Sequence, residues 1–244
     1  MAALTAFPLW LLPLAAVLLF IAIATFLVGG WYRTRIGAAM QGADARKPLG
    51  MFSLSSGNAA ETLRTRALVV PELLWTYDAD YLERFATAAS GVRLPDRQTA
   101  LAVYIGPTLC SDIAFAVALG LFVALTAFAA AVCVADPLIG GALIFCGVMG
   151  AVYGAADVAE NLKLIAILKD WRATTGGQPQ PAAGETSDVR IDGGEAGAAN
   201  ALTRIKFVTL TLSIVGLVVG LVLVVVAAVV YRPPGDPRPA TAPG

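Results

Sequence analysis

The sequence predicts an all-α fold, a bundle of four transmembrane helices with a partly helical cytoplasmic loop. Two observations lead to this prediction. Of the 244 residues, 58% are hydrophobic and only 14% are charged, whereas an ordinary soluble domain carries roughly 25% charged residues. The apolar residues are also concentrated in four blocks. Each block has about 20 or more uncharged residues, the length at which a helix crosses roughly 30 Å of hydrocarbon.

The first transmembrane helix is predicted over residues 7–32. No charged residue precedes Arg33, so the stretch lacks the basic n-region of a cleaved signal peptide. Trp10 and the Trp31–Tyr32 pair lie near its two ends, and such aromatic residues prefer the membrane–water interface. We therefore expect a retained membrane helix.

The next stretch, residues 33–106, is predicted to be a cytoplasmic loop. Its apolar segment, residues 68–75, can lie against a membrane or a partner. Asp78 is predicted to cap a short amphipathic helix over residues 79–89, because an aspartate side chain accepts hydrogen bonds from free N–H groups at a helix start. The apolar stripe of this helix is expected to pack against the membrane-embedded body and consists of Tyr81, Leu82 and Phe85.

The other three transmembrane helices are predicted over residues 107–134, 138–168 and 204–231. A helical run over residues 97–104 is expected to lead into the first of these three, and Asp136-Pro137 is expected to form the short turn after it. Residues 169–203 are rich in Gly and Pro and predict a flexible cytoplasmic linker. Residues 232–244 predict a disordered tail.

The distribution of basic residues predicts the orientation. The loop after the first span contains nine Lys and Arg residues and the stretch from Lys169 to Lys206 contains five. The N-terminus and the turn at Asp136 contain none, and the C-terminal tail contains two. Because Lys and Arg are retained on the cytoplasmic side of a membrane, both large loops are expected in the cytoplasm and both termini outside.

Composition excludes several classes of function. The chain contains no histidine, whereas membrane haem and most zinc and copper sites depend on imidazole ligands, so no metal or other cofactor is expected. Cys110, Cys133 and Cys146 lie in apolar stretches without a Cys-x-x-Cys pair, which indicates small apolar residues rather than a redox site. The net charge of zero gives no electrostatic reason to expect nucleic acid as a partner.

Polar residues inside the predicted spans form the candidate site. Five of them constitute the predicted cluster: Asp112, Asp157, Glu160, Asn161 and Lys206. At about 100° per residue, Asp157 and Asn161 share a helix face with Gly150 and Gly154. Because an ionised carboxylate is costly in lipid, this face is expected to point inward. Four further side chains are expected to support the cluster: Tyr104, Tyr153, Thr203 and Ser213.

The five polar residues are predicted to form one charged layer near the cytoplasmic surface, with either a structural or a functional role. Lys206 by itself is interpreted as an interfacial lysine whose ammonium group reaches the water. The small-residue pairs Gly150-xxx-Gly154 and Gly216-xxx-Gly220 permit a close helix neighbour. The neighbour can be another helix of the chain, another membrane protein subunit or a second copy.

The order of these polar elements resembles that of a group of bacterial multi-pass membrane proteins. In that group, a Tyr followed by an intramembrane Asp opens one span, Asp-x-x-Glu-Asn lies in the next, and Thr-x-x-Lys opens the last. The matching residues, within residues 96–217, are Tyr104, Asp112, Asp157, Glu160, Asn161, Thr203 and Lys206. The resemblance implies a multi-pass protein of the bacterial inner membrane. It does not indicate which activity the protein has.

Three functions follow as alternatives. The first is a non-enzymatic accessory or scaffold component in the lipid bilayer, since small-residue helix faces and a charged layer can lock helices together. The second is a small proton- or cation-coupled transporter or channel that uses the intramembrane carboxylates. The third is a membrane-embedded enzyme with the same carboxylates as metal ligands or as acid and base.

Overall fold

The all-α prediction is confirmed by a computed structural model that describes residues 11–41, 70–134, 136–176 and 190–230. The described residues contain no β-strand and five helices: α1 (Leu11–Gln41), α2 (Ala79–Gly91), α3 (Ala100–Val132), α4 (Pro137–Thr174) and α5 (Gly193–Val230). Four of these, α1, α3, α4 and α5, are long and apolar enough to cross a membrane. The predicted tail over residues 232–244 lies outside the described residues.

Glycines allow α3 and α4 to approach closely. A Cβ atom added at Gly120 of α3 would lie 2.9 Å from the carbonyl oxygen of Gly150 in α4. A Cβ atom added at Gly154 would lie 3.0 Å from the carbonyl oxygen of Ala116 in α3. In both cases the obstacle is backbone, which cannot turn away as a side chain can, so these positions accept only glycine without a shift of one helix.

The second small-residue pair also allows two helices to approach closely, in this case α4 and α5. Gly216 and Gly220 of α5 face Cys146 and Leu143 of α4, and a Cβ atom at either glycine would overlap these side chains. Both predicted small-residue faces are therefore occupied within the chain. Self-association through them would require the helices to separate first.

Substitution of Gly120 by alanine is expected to destabilise the protein by about 1–3 kcal/mol, the cost of overpacking a well-packed contact. The matched control is Gly141→Ala in α4, where an added Cβ atom meets nothing within 4 Å. Thermal unfolding in detergent should show a lower midpoint for Gly120→Ala only. Equal midpoints for the two variants would contradict the close contact between α3 and α4.

The first predicted loop begins later than expected. Helix α1 continues beyond residue 32 to Gln41, because the side chains of this extension are held by the rest of the chain. Ile36 is fully buried, and Arg33 bonds to acidic residues of other segments. Residues 42–69 of the predicted loop lie outside the described residues.

The loop enters α3 differently from the prediction. Helix α2 begins after Asp78, whose side chain accepts from the Tyr81 amide at 2.7 Å. The next helix begins at Ala100 rather than at Arg97, because Arg97 has a left-handed φ of 66° and Thr99 provides the cap. Pro107 lies inside α3, within a π-helical turn over Tyr104–Thr108, since proline has no N–H for the regular α-helical bond.

Most of the described residues of the predicted linker, which are residues 169–176 and 190–203, are helical. Helix α4 starts directly after Asp136, which caps it, and continues to Thr174. Helix α5 starts at Gly193, where Asp192 accepts from the first free amides. Residues 177–189 of the linker lie outside the described residues, and helical extensions cover residues 169–174 and 193–203.

These helical extensions build a small head at one end of the membrane helices. Its hydrophobic core includes side chains from the end of α1, from α2, from the start of α3, from the last turns of α4 and from the first turns of α5, among them Ile36, Leu82, Phe85, Leu101, Trp171 and Ala196. The apolar stripe of α2 is buried there, and the Phe85 ring packs edge-on against Tyr104 with centroids 4.8 Å apart. The head packs directly on the charged end of the membrane helices.

Candidate functional site

Each membrane helix has one uncharged run of about 20 or more residues, and all four runs end at one level. The runs are residues 11–32 before Arg33, 113–132 after Asp112, 137–156 before Asp157 and 207–230 after Lys206. Around these four charged residues lies a connected set of polar side chains, here called the polar layer. It consists of Arg33, Glu72, Tyr77, Tyr104, Asp112, Tyr153, Asp157, Glu160, Asn161, Thr203 and Lys206.

Lys206 of α5 connects three parts of the polar layer. Its Nζ atom lies 3.1 Å from Oδ1 of Asp157 and 2.7 Å from Oε2 of Glu160, both in α4. It also donates to the backbone carbonyl of Glu72 at 3.3 Å. Lys206 is 6% exposed, so its interpretation as a water-reaching interfacial lysine is corrected: the ammonium group points inward because two carboxylates surround it.

Asp157 has two further partners on its own helix. The Tyr153 hydroxyl donates to Asp157 Oδ2 at 3.1 Å, and the Asn161 amide donates to Oδ1 at 3.3 Å. The spacing of four residues places these three side chains on one face of α4. That face points into the protein, as the cost of an ionised group in lipid requires.

Glu160 is bound by α5 and by the segment before α2. The Thr203 hydroxyl donates to Glu160 Oε1 at 2.5 Å, and the Tyr77 hydroxyl donates to the same atom at 3.2 Å. Two effects raise the pKa of Tyr77 above its ordinary value. The larger effect is the burial of the hydroxyl, and the next is the nearby charge of Glu160. The Tyr77 hydroxyl therefore stays protonated and remains a donor throughout the physiological pH range.

Removal of the Tyr77 hydroxyl by a Tyr77→Phe substitution is expected to cost about 1.5 kcal/mol, the lower end for a hydrogen bond to a charged group. Thr203 and Lys206 would still hold Glu160, so the loss should be smaller than that for a removed charge. Chemical unfolding of the two proteins in detergent measures the difference. Tyr32→Phe is the control, since the Tyr32 hydroxyl makes no hydrogen bond with the described residues. A Tyr77→Phe protein as stable as this control would argue against the bond.

Arg33 is the second cation of the polar layer. Its Nε atom lies 3.0 Å from Oε1 of Glu72, and its other end contacts the Asp112 carboxylate. The Tyr104 hydroxyl donates to the second oxygen of Glu72. Asp112 is therefore held by α1 rather than by Lys206, although both lie in the same layer.

The structure assembles most of the predicted site residues, with one exception. Asp112, Asp157, Glu160, Asn161 and Lys206 lie in the polar layer, together with Tyr104, Tyr153 and Thr203. Ser213 is buried, and within the described part of the chain it donates only to the Leu210 carbonyl of its own helix, because it lies two turns further into the membrane than Lys206. The five predicted residues thus share one layer, and Ser213 is outside it.

Three members of the polar layer were missed by sequence reasoning. From the sequence, Arg33 counts only among the basic residues of the first loop, and Glu72 and Tyr77 are predicted to lie in a loop. The available signal was Glu72, a lone charged residue inside the apolar segment 68–75. A charge in such a segment requires a buried partner, but the sequence does not say which.

The polar layer holds more acidic than basic groups. Four carboxylates, those of Glu72, Asp112, Asp157 and Glu160, face the two cations Arg33 and Lys206. In the described part of the chain, no three His, Cys, Asp or Glu side chains are placed to hold a metal ion. A pocket of about 470 Å³ on the head, lined in part by Lys169 and Arg172, shares no residue with the layer.

The fold and the polar layer together define the class of protein: an all-helical, multi-pass membrane protein with a buried charged layer at one end of its membrane helices. No known protein-family model, curated protein or solved structure is significantly similar to the chain. Its function must therefore be argued from the chemistry of the layer rather than from the fold.

Proposed function

We propose that the protein is a non-enzymatic accessory or scaffold component of a membrane, in which the polar layer fixes one arrangement of the helices. The observation that carries the proposal is the pairing within the layer. Each of the two cations binds two acidic residues from other segments. The contributing residues come from all four membrane helices and from the segment before α2, so the layer joins these five parts of the described chain.

The energetics of buried ion pairs support a structural role. Such a pair adds little stability compared with well-packed apolar residues, but a missing partner leaves a costly unpaired charge. Arrangements of the helices that separate Lys206 from Asp157 and Glu160 are therefore disfavoured. A component that holds other subunits in place needs this kind of unique geometry.

The proposal includes the location and the sidedness of the protein. It places the protein in a bacterial inner membrane with the head in the cytoplasm and both termini outside. The excess of Lys and Arg on the side of the head supports this orientation. The order of the polar elements, which resembles that of a group of bacterial multi-pass membrane proteins, supports a location in a bacterial membrane. The proposed partners are other membrane protein subunits.

Purification from native membranes tests the scaffold proposal. The full-length protein, affinity-tagged and extracted in mild detergent after chemical cross-linking, is expected to retain one or more membrane proteins in fixed stoichiometry. The control is a matched preparation from cells that carry the untagged protein. A monodisperse protein that is recovered alone would overturn the proposal.

The excess of acidic groups supports a second candidate, a small proton- or cation-coupled transporter. Four negative charges face two positive ones in the polar layer, and Oδ1 of the buried Asn161 has no hydrogen-bond partner among the described residues. A bound proton or cation would relieve both deficits. The position of the layer at the end of the uncharged runs weighs against this candidate, since many transporter sites lie near the midplane.

Reconstitution into liposomes separates the two candidates. Asp157→Asn is compared with Asp170→Asn, which changes an exposed carboxylate of the same helix. A proton or cation flux in the wild-type protein that only Asp157→Asn abolishes, at unchanged protein level, would favour transport and overturn the scaffold proposal. Absence of flux in all three proteins would favour the scaffold.

A further inference from the structure

The short segment over residues 70–77 has an inverted distribution of polar and apolar side chains. Glu72 is 3% exposed and Tyr77 is buried, whereas Leu73 and Trp75 are 43% and 53% exposed. A loop that faces water shows the opposite pattern, because burial of a charge is costly and exposure of an indole ring gains nothing. The pattern indicates that the outer side of this segment faces an apolar medium.

The exposed side of the segment is continuous with the apolar surface of α5. The Trp75 ring packs against the ring of Phe207 with centroids 5.5 Å apart. Phe207 is the first residue of the uncharged run of α5, and the neighbouring Ile205 and Val208 are exposed. Trp75 therefore extends the surface that a membrane helix presents to lipid.

The segment also lies at the level where the hydrocarbon begins. Lys206 donates to the backbone carbonyl of Glu72, which holds the segment beside the end of the uncharged run. On the polar side, the exposed Arg204 donates to the Thr76 hydroxyl at 3.3 Å. A tryptophan that packs on an apolar ring and is followed by a residue bound to a cation matches the interfacial layer of a bilayer, which tryptophan prefers.

We propose that Leu73 and Trp75 insert into the boundary between the headgroups and the acyl chains of the bilayer, so that the segment over residues 70–77 is an interfacial membrane anchor. The anchor explains why Glu72 and Tyr77 point inward: the same segment contacts lipid on one side and the polar layer on the other. The proposal does not depend on whether the protein acts as a scaffold or as a transporter.

Fluorescence quenching in lipid nanodiscs tests the anchor. The full-length protein and the Trp75→Phe variant are reconstituted in phosphatidylcholine that carries bromine on the acyl chain, either near the glycerol backbone or near the terminal methyl. The difference between the two emission spectra isolates Trp75, whose substitution is mild because the side chain is exposed. The same subtraction with a Trp31→Phe variant isolates the emission of Trp31, an exposed tryptophan of α1 that serves as the matched control.

The expected difference spectrum for Trp75 is blue-shifted, is quenched more by the shallow bromine than by the deep one, and is insensitive to aqueous iodide. Quenching by iodide without quenching by bromolipid would place Trp75 in water and overturn the proposal. Insensitivity to both would mean that protein covers Trp75, which would overturn it as well. Circular dichroism of the Trp75→Phe variant verifies that the comparison is between folded proteins.

Discussion

Substitution of Lys206 by methionine is expected to destabilise the protein by about 3–5 kcal/mol, the cost of removing one partner from a buried ion pair. Lys206 is the only cation within salt-bridge distance of Asp157 and Glu160 in the described residues. Methionine has a similar length but no charge, so both carboxylates would remain buried without a compensating positive charge. The unfolding midpoint in detergent and the amount of protein in membranes should both fall.

The matched control for this substitution is Arg204→Met. Arg204 is exposed on the same helix and bonds only to the Thr76 hydroxyl among the described residues, so its loss should cost little. A triple variant, Lys206→Met with Asp157→Asn and Glu160→Gln, removes the unpaired charges and should regain part of the stability. If Lys206→Met proved as stable as Arg204→Met, the ion pairs of Lys206 would have no structural importance.

An Arg33→Met substitution should have an effect of similar size, about 3–5 kcal/mol, for the same reason. Arg33 is shared between Glu72 and Asp112, and its removal leaves the two carboxylates without a cation. Because Glu72 holds the segment over residues 70–77, hydrogen exchange of the Leu73 and Leu74 amides should accelerate. Mass spectrometry of peptides from this segment measures that exchange.

Arg35→Met is the control for Arg33. Arg35 pairs with the partly exposed Asp96 at 3.3 Å and lies over the Trp31 ring, and a surface pair of this kind contributes at most about 1 kcal/mol. If hydrogen exchange in the segment over residues 70–77 stays slow in both Arg33→Met and Arg35→Met, the position of Glu72 does not depend on Arg33. The effects of Arg33 and Lys206 should not add, since both act on Glu72.

Much of the fold could be predicted from the sequence because its signals are local. A run of uncharged residues long enough to cross a bilayer predicts a membrane helix without reference to the rest of the chain. The helical period likewise places Asp157 and Asn161 on one face with Gly150 and Gly154. The structure places the glycine part of that face against α3, where Gly120 meets the two glycines, and places Asp157 beside Lys206 of α5.

The ends of the helices could not be predicted in this way. Residues 33–41, 169–174 and 193–203 are polar enough to be interpreted as loop or linker, yet they are helical. Their helical structure depends on packing in the head, where Trp171, Ala196 and Ala199 are buried. Most helical stability in proteins comes from such tertiary packing and not from local propensity.

The sequence by itself thus determined the class of protein: an all-α chain with four membrane-crossing helices and inward-facing carboxylates, since lipid imposes these features on each helix separately. Only the tertiary structure decided which charges pair. Lys206 bonds to the backbone of Glu72, which lies 134 positions away in the chain. Asp112 pairs with Arg33, although the sequence predicts it in one cluster with Lys206. The reason is that an ion pair depends on distances between side chains, and such distances exist only after the helices have packed.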